Sequence, residues 1–228
     1  MTATVELHHR VDGDGPDLVL LHGGGGTTEE LADLRDRLAP SHRVISPDQR
    51  GHGRSPWADP FTYPAMAADT AALLERLGVR GADLVGWSDG AIVALLVARE
   101  RPDLVRRVVA IGADVDTGPG EPSHLTPEAA AEQLALTPEQ LGLDPRLATA
   151  LVRLWTTAHG IAVEDLGRIA APILFIAGDR DLITLDHTDA MFRAARHAQL
   201  AIVPDADHDV PVAQADLIAP LIDRFLGG

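Results

Sequence analysis

Short apolar runs alternate with amphipathic stretches along most of this chain. Asp17-Leu18-Val19-Leu20-Leu21 and Arg43-Val44-Ile45-Ser46 are compact and nearly uninterrupted, as are the runs at 82–85, 107–111, 173–177 and 200–203. Runs of this length without polar alternation predict strands buried on both faces. Residues 5–11 alternate loosely instead, which predicts an edge strand closed by the turn Asp12-Gly13-Asp14-Gly15-Pro16. Helical spacing fills the intervals. One helix is expected to run to 38 from a cap at Thr27 or Thr28, with Glu29 and Glu30 in its first turn. Others are expected at 63–77, from Ala91 onward, at 186–195 and at 211–226. Strand–helix alternation implies right-handed crossovers and a mostly parallel, doubly wound α/β sheet, whose chemistry gathers at the carboxyl ends of the strands.

One segment breaks the alternation. Residues 114–171 contain no good strand, while Thr126-Pro127-Glu128 and Thr137-Pro138-Glu139-Gln140 each read as a cap followed by proline at the first helical position. A longer helix is expected at 145–159. The chain is therefore expected to be one domain over 1–228, with a short helical lid insertion at 114–171.

Composition narrows the class. The formal net charge of −15 argues against nucleic-acid and anionic-membrane partners, which require basic patches. The absence of cysteine removes disulfide and thiolate chemistry and fits a reducing compartment. Met1-Thr2-Ala3-Thr4-Val5-Glu6 has no basic stretch followed by an apolar one, and no apolar run reaches membrane-spanning length. The expectation is a soluble cytoplasmic protein; its oligomeric state is open.

The candidate chemistry centres on Gly86-Trp87-Ser88-Asp89-Gly90, lying between an apolar strand and a helix. A serine on so sharp a turn sits in strained backbone, and glycines two before and two after it let neighbouring chain approach. The result is an exposed hydroxyl at a strand's carboxyl end, in front of a helix N-terminus. The bland alternative is a serine that only caps the helix. The glycines 23–26 after the first buried strand let backbone approach a substrate, or simply make a flexible connection. No lysine follows them in phosphate-loop spacing.

In this order the signals resemble the α/β-hydrolase superfamily over nearly the whole chain. His22-Gly23-Gly24 is similar to that family's oxyanion loop, Asp48-Gln49-Arg50-Gly51-His52-Gly53-Arg54-Ser55 to its D-x-R-G-x-G-x-S turn, and the Ser88 segment to its nucleophile elbow. Gly178-Asp179-Arg180-Asp181 resembles the segment that carries the acid, and His208 follows the final strand as the base does. The resemblance implies an α/β-hydrolase fold, a serine hydrolase and a triad of Ser88, His208 and Asp181. Of the 10 histidines, His208 alone follows the last strand; His8 and His9 lie on the edge strand, His124 and His159 in the insertion, and His187 and His197 in a surface helix region. Asp114 is the rival acid, because some relatives place theirs after the strand ending at 111, whereas Asp179 is expected to turn the chain. The backbone amides of Gly24 and Asp89 are the implied oxyanion donors. His22, Asp48, Arg50 and Arg54 read as loop-organising. Two departures stand out: one arm of the family's opening hairpin fits, so the sheet is expected to lack its first strand, and Asp207 and Asp209 flank His208, where either could shift its pKa or mispair it.

Asp89 carries two readings. A carboxylate in the first turn of a helix is favoured by the dipole alone. The elbow is also similar to that of valacyclovir hydrolase-like enzymes, which implies an acidic side chain that receives the ammonium of an amino-acid ester. Trp87, Trp57 and Trp155 are candidates to line an acyl pocket, Trp87 foremost, against plain packing. The implied substrate is a small ester, thioester, lactone or amide, with no cofactor and no metal. Carbon–carbon bond hydrolysis or perhydrolysis on the same triad, and non-enzymatic ligand sensing, remain alternatives within the fold.

Overall fold

The computed structural model describes residues 3–116, 118 and 144–227. The helix starts expected at 126–128 and 137–140, together with His124, lie outside them. Seven strands form one sheet: β1 (His9–Asp12), β2 (Asp17–Leu21), β3 (Arg43–Pro47), β4 (Ala82–Trp87), β5 (Val105–Ile111), β6 (Ile173–Gly178) and β7 (Ala198–Val203), in the order β1-β3-β2-β4-β5-β6-β7. β1 runs antiparallel to β3 at one edge and every other neighbour is parallel. Among the described residues no strand precedes β1.

Alternate residues of the strands feed two cores. Val19, Leu21 and Leu84 face one layer built on helices α2 (Tyr63–Arg76) and α3 (Asp89–Glu100), with Leu73, Ile92 and Leu95 packed there. Leu18, Leu20 and Val85 face the other, packed on Leu34 and Leu38 of helix α1 (Ala32–Leu38) and on the C-terminal helix. Each fully buried leucine contributes roughly 1.5–3 kcal/mol, so these two faces hold the scaffold that fixes the strand ends.

Three helices differ from the sequence expectation, each for a local reason. α1 begins at Ala32, because Thr28 N–H donates to Asp48 Oδ1 at 2.7 Å and Thr28 O accepts from Arg35 Nη1 at 2.9 Å. Tertiary partners thus claim groups that a helix would have used. Helix α4 (Pro145–Trp155) stops short of 159 because the Asp116 carboxylate takes the N–H groups of His159 (2.7 Å) and Gly160 (3.1 Å). After α5 (Leu185–Ala194), the expected final helix is two, α6 (Val210–Ala213) and α7 (Ala215–Gly227), divided where Gln214 leaves helical geometry at φ −135°. Within 114–171 the described residues also hold a 3-10 turn at Val163–Arg168 and an isolated bridge between Asp116 and Ala162. No helix of the described residues is long and apolar enough to cross a membrane.

Candidate active site

Ser88 joins β4 to α3 at φ 52° and ψ −119°, backbone that a side chain rarely adopts. The flanking glycines hold it there. A Cβ on Gly86 would lie 2.2 Å from Gly90 O, and one on Gly90 would lie 2.3 Å from Leu21 O. Ser88 N–H donates to Ile111 O at 2.8 Å, which locks the turn onto the end of β5. Close approach and strain thus project the hydroxyl beyond the sheet.

The loops after β6 and β7 meet it. His208 Nε2 lies 3.0 Å from Ser88 Oγ, and His208 Nδ1 lies 2.8 Å from Asp181 Oδ1. Asp181 Oδ1 also accepts from Ile183 N–H at 2.9 Å, and its side chain is 1% exposed against 19% for His208. Because a carboxylate only accepts, Nδ1 carries the imidazole proton and Nε2 faces the serine as an acceptor. The two loops are stitched together. Arg180 N–H donates to Ala206 O at 2.9 Å, and Asp179 Oδ1 accepts from Ala206 N–H at 3.1 Å. Asp179 therefore shapes the turn while Asp181 meets the ring. Asp207 and Asp209 hydrogen-bond each other, which holds the Asp207 carboxyl below its ordinary range and pushes that of Asp209 up. Gly112, at φ +55°, makes room for the pair: a Cβ there would lie 2.9 Å from His208 Cε1 and 3.3 Å from Asp181 Oδ2. The one sequence signal for this role of Gly112 is its place directly after the buried run that ends at Ile111.

Opposite the elbow, His22–Gly26 follows β2. His22 Nε2 accepts from Gln49 N–H at 3.0 Å while its Nδ1–H donates to Gly23 O at 2.7 Å. His52 Nε2 accepts from Gly25 N–H at 3.0 Å and its Nδ1–H donates to Arg50 O at 3.0 Å. Burial pushes both imidazoles down, His52 to about 3, so both are neutral and act as fixed hydrogen-bond relays. Asp48 accepts from the N–H groups of Thr28 and Arg54 (2.9 Å), and Arg50 forms a fully buried ion pair with Asp69. Among the described residues, the N–H groups of Gly24 and Asp89 meet no acceptor, whereas those of Gly25 and Gly26 are taken. Glu30 packs beneath this loop. Burial first, and Asp89 in addition, push its carboxyl to about 7, against the pull of a hydrogen bond from the Gly23 backbone.

A cavity opens beside Ser88, and Tyr63, Asp89, Asp114, Trp155 and His159 form part of its wall. Asp89 Oδ1 accepts from Tyr63 O–H and from Trp155 Nε1–H, both at 2.9 Å. Its Oδ2 lies where a Cβ on Gly24 would come within 2.6 Å, and burial pushes its carboxyl to about 6. Asp114 is removed from His208's acid position and lies instead near His187, with His187 Nε2 3.5 Å from its Oδ1. His187, expected at the surface, is buried because the first turn of α5 packs inward. Of the three tryptophans, Trp155 lines this cavity. Trp87 packs on Gly23 and donates Nε1–H to His208 O, and Trp57 stacks on Phe61 at 4.8 Å beneath Arg146. Tyr63 and His159 have no sequence signal for this placement, since α2 and the chain after α4 bring them in from far along the sequence.

Comparisons with known proteins agree with this architecture. A family model described as alpha/beta hydrolase fold matches residues 16–153. The pimeloyl-acyl-carrier-protein methyl ester esterase of Neisseria meningitidis is 28% identical, over 93% of this chain and 96% of its own. The sn-1-specific diacylglycerol lipase ABHD11 of Mus musculus is 28% identical, over 88% of this chain and 78% of its own. Among solved structures, a meta-cleavage product hydrolase from Pseudomonas fluorescens superposes with a TM-score of 0.82 at 20% identity, covering 98% of this chain and 94% of that one. With its sheet order, its strained serine turn and a family match over more than half its length, the chain belongs to the alpha/beta hydrolase fold family.

Proposed function

We propose that the chain is a serine hydrolase that cleaves a small carboxylic ester through an acyl-enzyme. Ser88 Oγ attacks the ester carbonyl while His208 Nε2 takes its proton; Asp181 orients the ring and stabilises the imidazolium. The oxyanion is received by the amides of Gly24 and Asp89, a donor pair of the kind that contributes ~3 kcal/mol per hydrogen bond in the transition state. His208 then gives its proton to the departing alcohol. Water, activated by the same imidazole, hydrolyses the acyl-serine and restores the hydroxyl. Asp89 is the proposed substrate-contacting side chain on the cavity wall, with Trp87 backing the loop beside it. The described part of 114–171 acts as a lid, since Trp155 and His159 belong to it and line the cavity.

The observation that carries this reading is the unbroken line of contacts from Asp181 through His208 to Ser88, at 2.8 and 3.0 Å. The hydrolases and esterases among the relatives support it. The test is labelling by a fluorophosphonate probe together with p-nitrophenyl acetate turnover, using Ser88→Ala as the blank. Labelling confined to Ser88 is expected, with many turnovers per enzyme and a loss of at least ~10³-fold in the variant. A single stoichiometric burst would point to ligand sensing, and an unlabelled Ser88 would remove the nucleophile.

A further inference from the structure

The two edges of the sheet are finished differently. β1 is four residues long and carries Arg10 and Asp12, which pair with each other at 2.8 Å, so charge blunts that edge. β7 runs for six residues, Ala198-Gln199-Leu200-Ala201-Ile202-Val203, without a charge or a proline, in a chain whose formal net charge is −15. Among the described residues it pairs with β6 alone, and Ile202 is exposed on it. The direction of its bonding groups is fixed at both ends. His197 O accepts from Ile173 N–H at 2.8 Å and Val203 O accepts from Asp179 N–H at 3.0 Å, both across to the β6 side. Strand alternation then turns the N–H and C=O of Ala198, Leu200 and Ile202 outward, where no backbone group meets them among the described residues.

We infer that β7 is the contact surface for a second copy of this chain, the two β7 strands pairing antiparallel about a two-fold axis at Leu200 and joining the two sheets into one. In an antiparallel pair, residues whose bonding groups face each other stand opposite and exchange two hydrogen bonds. Centring on Leu200 sets Leu200 against its own copy and each Ala198 against the other chain's Ile202, so every outward group of the strand finds a partner. Sliding the pair one step toward the C-terminus sets Ala198 against Pro204, which has no N–H; one step the other way carries Ile202 past the start of the strand. The centred register also lays the branched Ile202 beside the small Ala198 on one face. Arg196, which has no ion-pair partner among the described residues, arrives next to the exposed Asp205 of the second copy. Any extended peptide meets the same bare groups, but this order of residues is complementary to itself, which is what a two-fold contact requires. The inference is independent of the chemistry at Ser88.

The test uses the full chain. Light scattering after size exclusion, over a dilution series, is expected to give the mass of two chains at high concentration and of one chain on dilution. Ile202→Pro removes an outward N–H that the isolated fold does not use, on an edge strand where proline is tolerated. By symmetry it removes two inter-chain bonds, so the dimer midpoint is expected to rise about tenfold or more. Cysteine reads the register, because the chain has none of its own. Opposed hydrogen-bonded residues have Cα atoms about 5.5 Å apart, within disulfide reach. Leu200→Cys is therefore expected to give a covalent dimer under mild oxidation, whereas Gln199→Cys, offset along the strand from its own copy, is not. Monomers at every concentration overturn the proposal, as they would if a peptide of another protein were the occupant. A dimer that links at 199 as readily as at 200, or at neither, also overturns it, as does a midpoint unmoved in folded Ile202→Pro. If Ile202→Pro fails to fold, the cross-link at 200 decides alone, and its absence refutes the pairing.

Discussion

Trp87 donates its indole N–H to the main-chain oxygen of His208 at 2.8 Å, so the residue before the serine anchors the loop that carries the serine's partner. Their rings also lie 5.8 Å apart, and Trp87 fills the space above Gly23. Trp87→Phe keeps most of the ring contact and loses the hydrogen bond, whose net value is about 1 kcal/mol. We expect kcat for p-nitrophenyl acetate to fall roughly three- to tenfold with KM little changed, on the same scale. An unchanged kcat would show that the loop is held elsewhere.

Gly112 makes a stricter prediction. It occupies left-handed backbone, and any Cβ would press on the His208 ring and Asp181. Gly112→Ala is expected to cost about 1–3 kcal/mol of stability from the backbone alone. Displacement of the ring should lower kcat/KM by ~100-fold, in line with the cost of small misplacements at a reacting centre. A melt and an ester assay on one preparation separate the two effects; full activity in a destabilised variant would sink the claim that this glycine makes room for the imidazole.

Buried acids give the protein a pH signature. The Glu30 carboxyl is held near 7 and that of Asp89 near 6, each chiefly by burial, whereas an unfolded chain titrates them near 4. Folded pKa values above the unfolded ones mean that the native state binds these protons more tightly. Their contribution to stability is therefore greatest at low pH and declines as pH rises from about 4 to about 7. Glu30→Gln removes one such group. It should leave the melting temperature near that of the parent at pH 5 and raise it by about 5 °C at pH 8, equivalent to ~2 kcal/mol. A Tm difference independent of pH would refute the assignment. Protonation of Asp89 below about 6 should also erase any preference for an amine-bearing ester. The ratio of that ester to its des-amino analogue isolates this effect from titration of the base.

The Arg50–Asp69 pair makes a prediction about folding. Nε–Oδ2 and Nη2–Oδ1 distances of 2.6 and 2.8 Å join the 48–55 turn to α2, with both side chains at 0% exposure. Asp69→Leu strands a buried guanidinium and should cost ~3–5 kcal/mol in urea denaturation, whereas Arg50→Met with Asp69→Leu should recover part of that loss. If the double replacement is no better than the single one, the pair's other bonds, to Val5 N–H and to the Pro60 and Ala65 carbonyls, dominate.

Much of the architecture was legible because it is periodic. Buried parallel strands need unbroken apolar runs, and six such runs appear as β2 to β7 within a few residues of the expected bounds. β7, expected to be buried on both faces, is instead an edge strand with Ile202 40% exposed, because its apolar run borders one neighbour only. Ser88 was legible because steric demand at positions 86 and 90 leaves a glycine signature. Asp181 and His208 were legible only through the order of motifs, since nothing local distinguishes them from Asp179 or His187. The cavity wall was not legible. Tyr63, Asp114 and His159 meet through tertiary contacts between α2, the end of β5 and the chain beyond α4, and such pairings leave no short-range trace. The misplaced start of α1 has the same origin, because a distant aspartate competed for its first amides.

The tight packing at Gly86 and Gly90 separates the route of the backbone from the identity of the side chain it displays. Neighbouring carbonyls hold the path of the turn, while the Ser88 side chain projects away from them, so a thiol or a carboxylate at position 88 would inherit the same perch. The side chain at 88 is in this sense an interchangeable fitting on a rigid bracket, and the bracket is the harder part to alter.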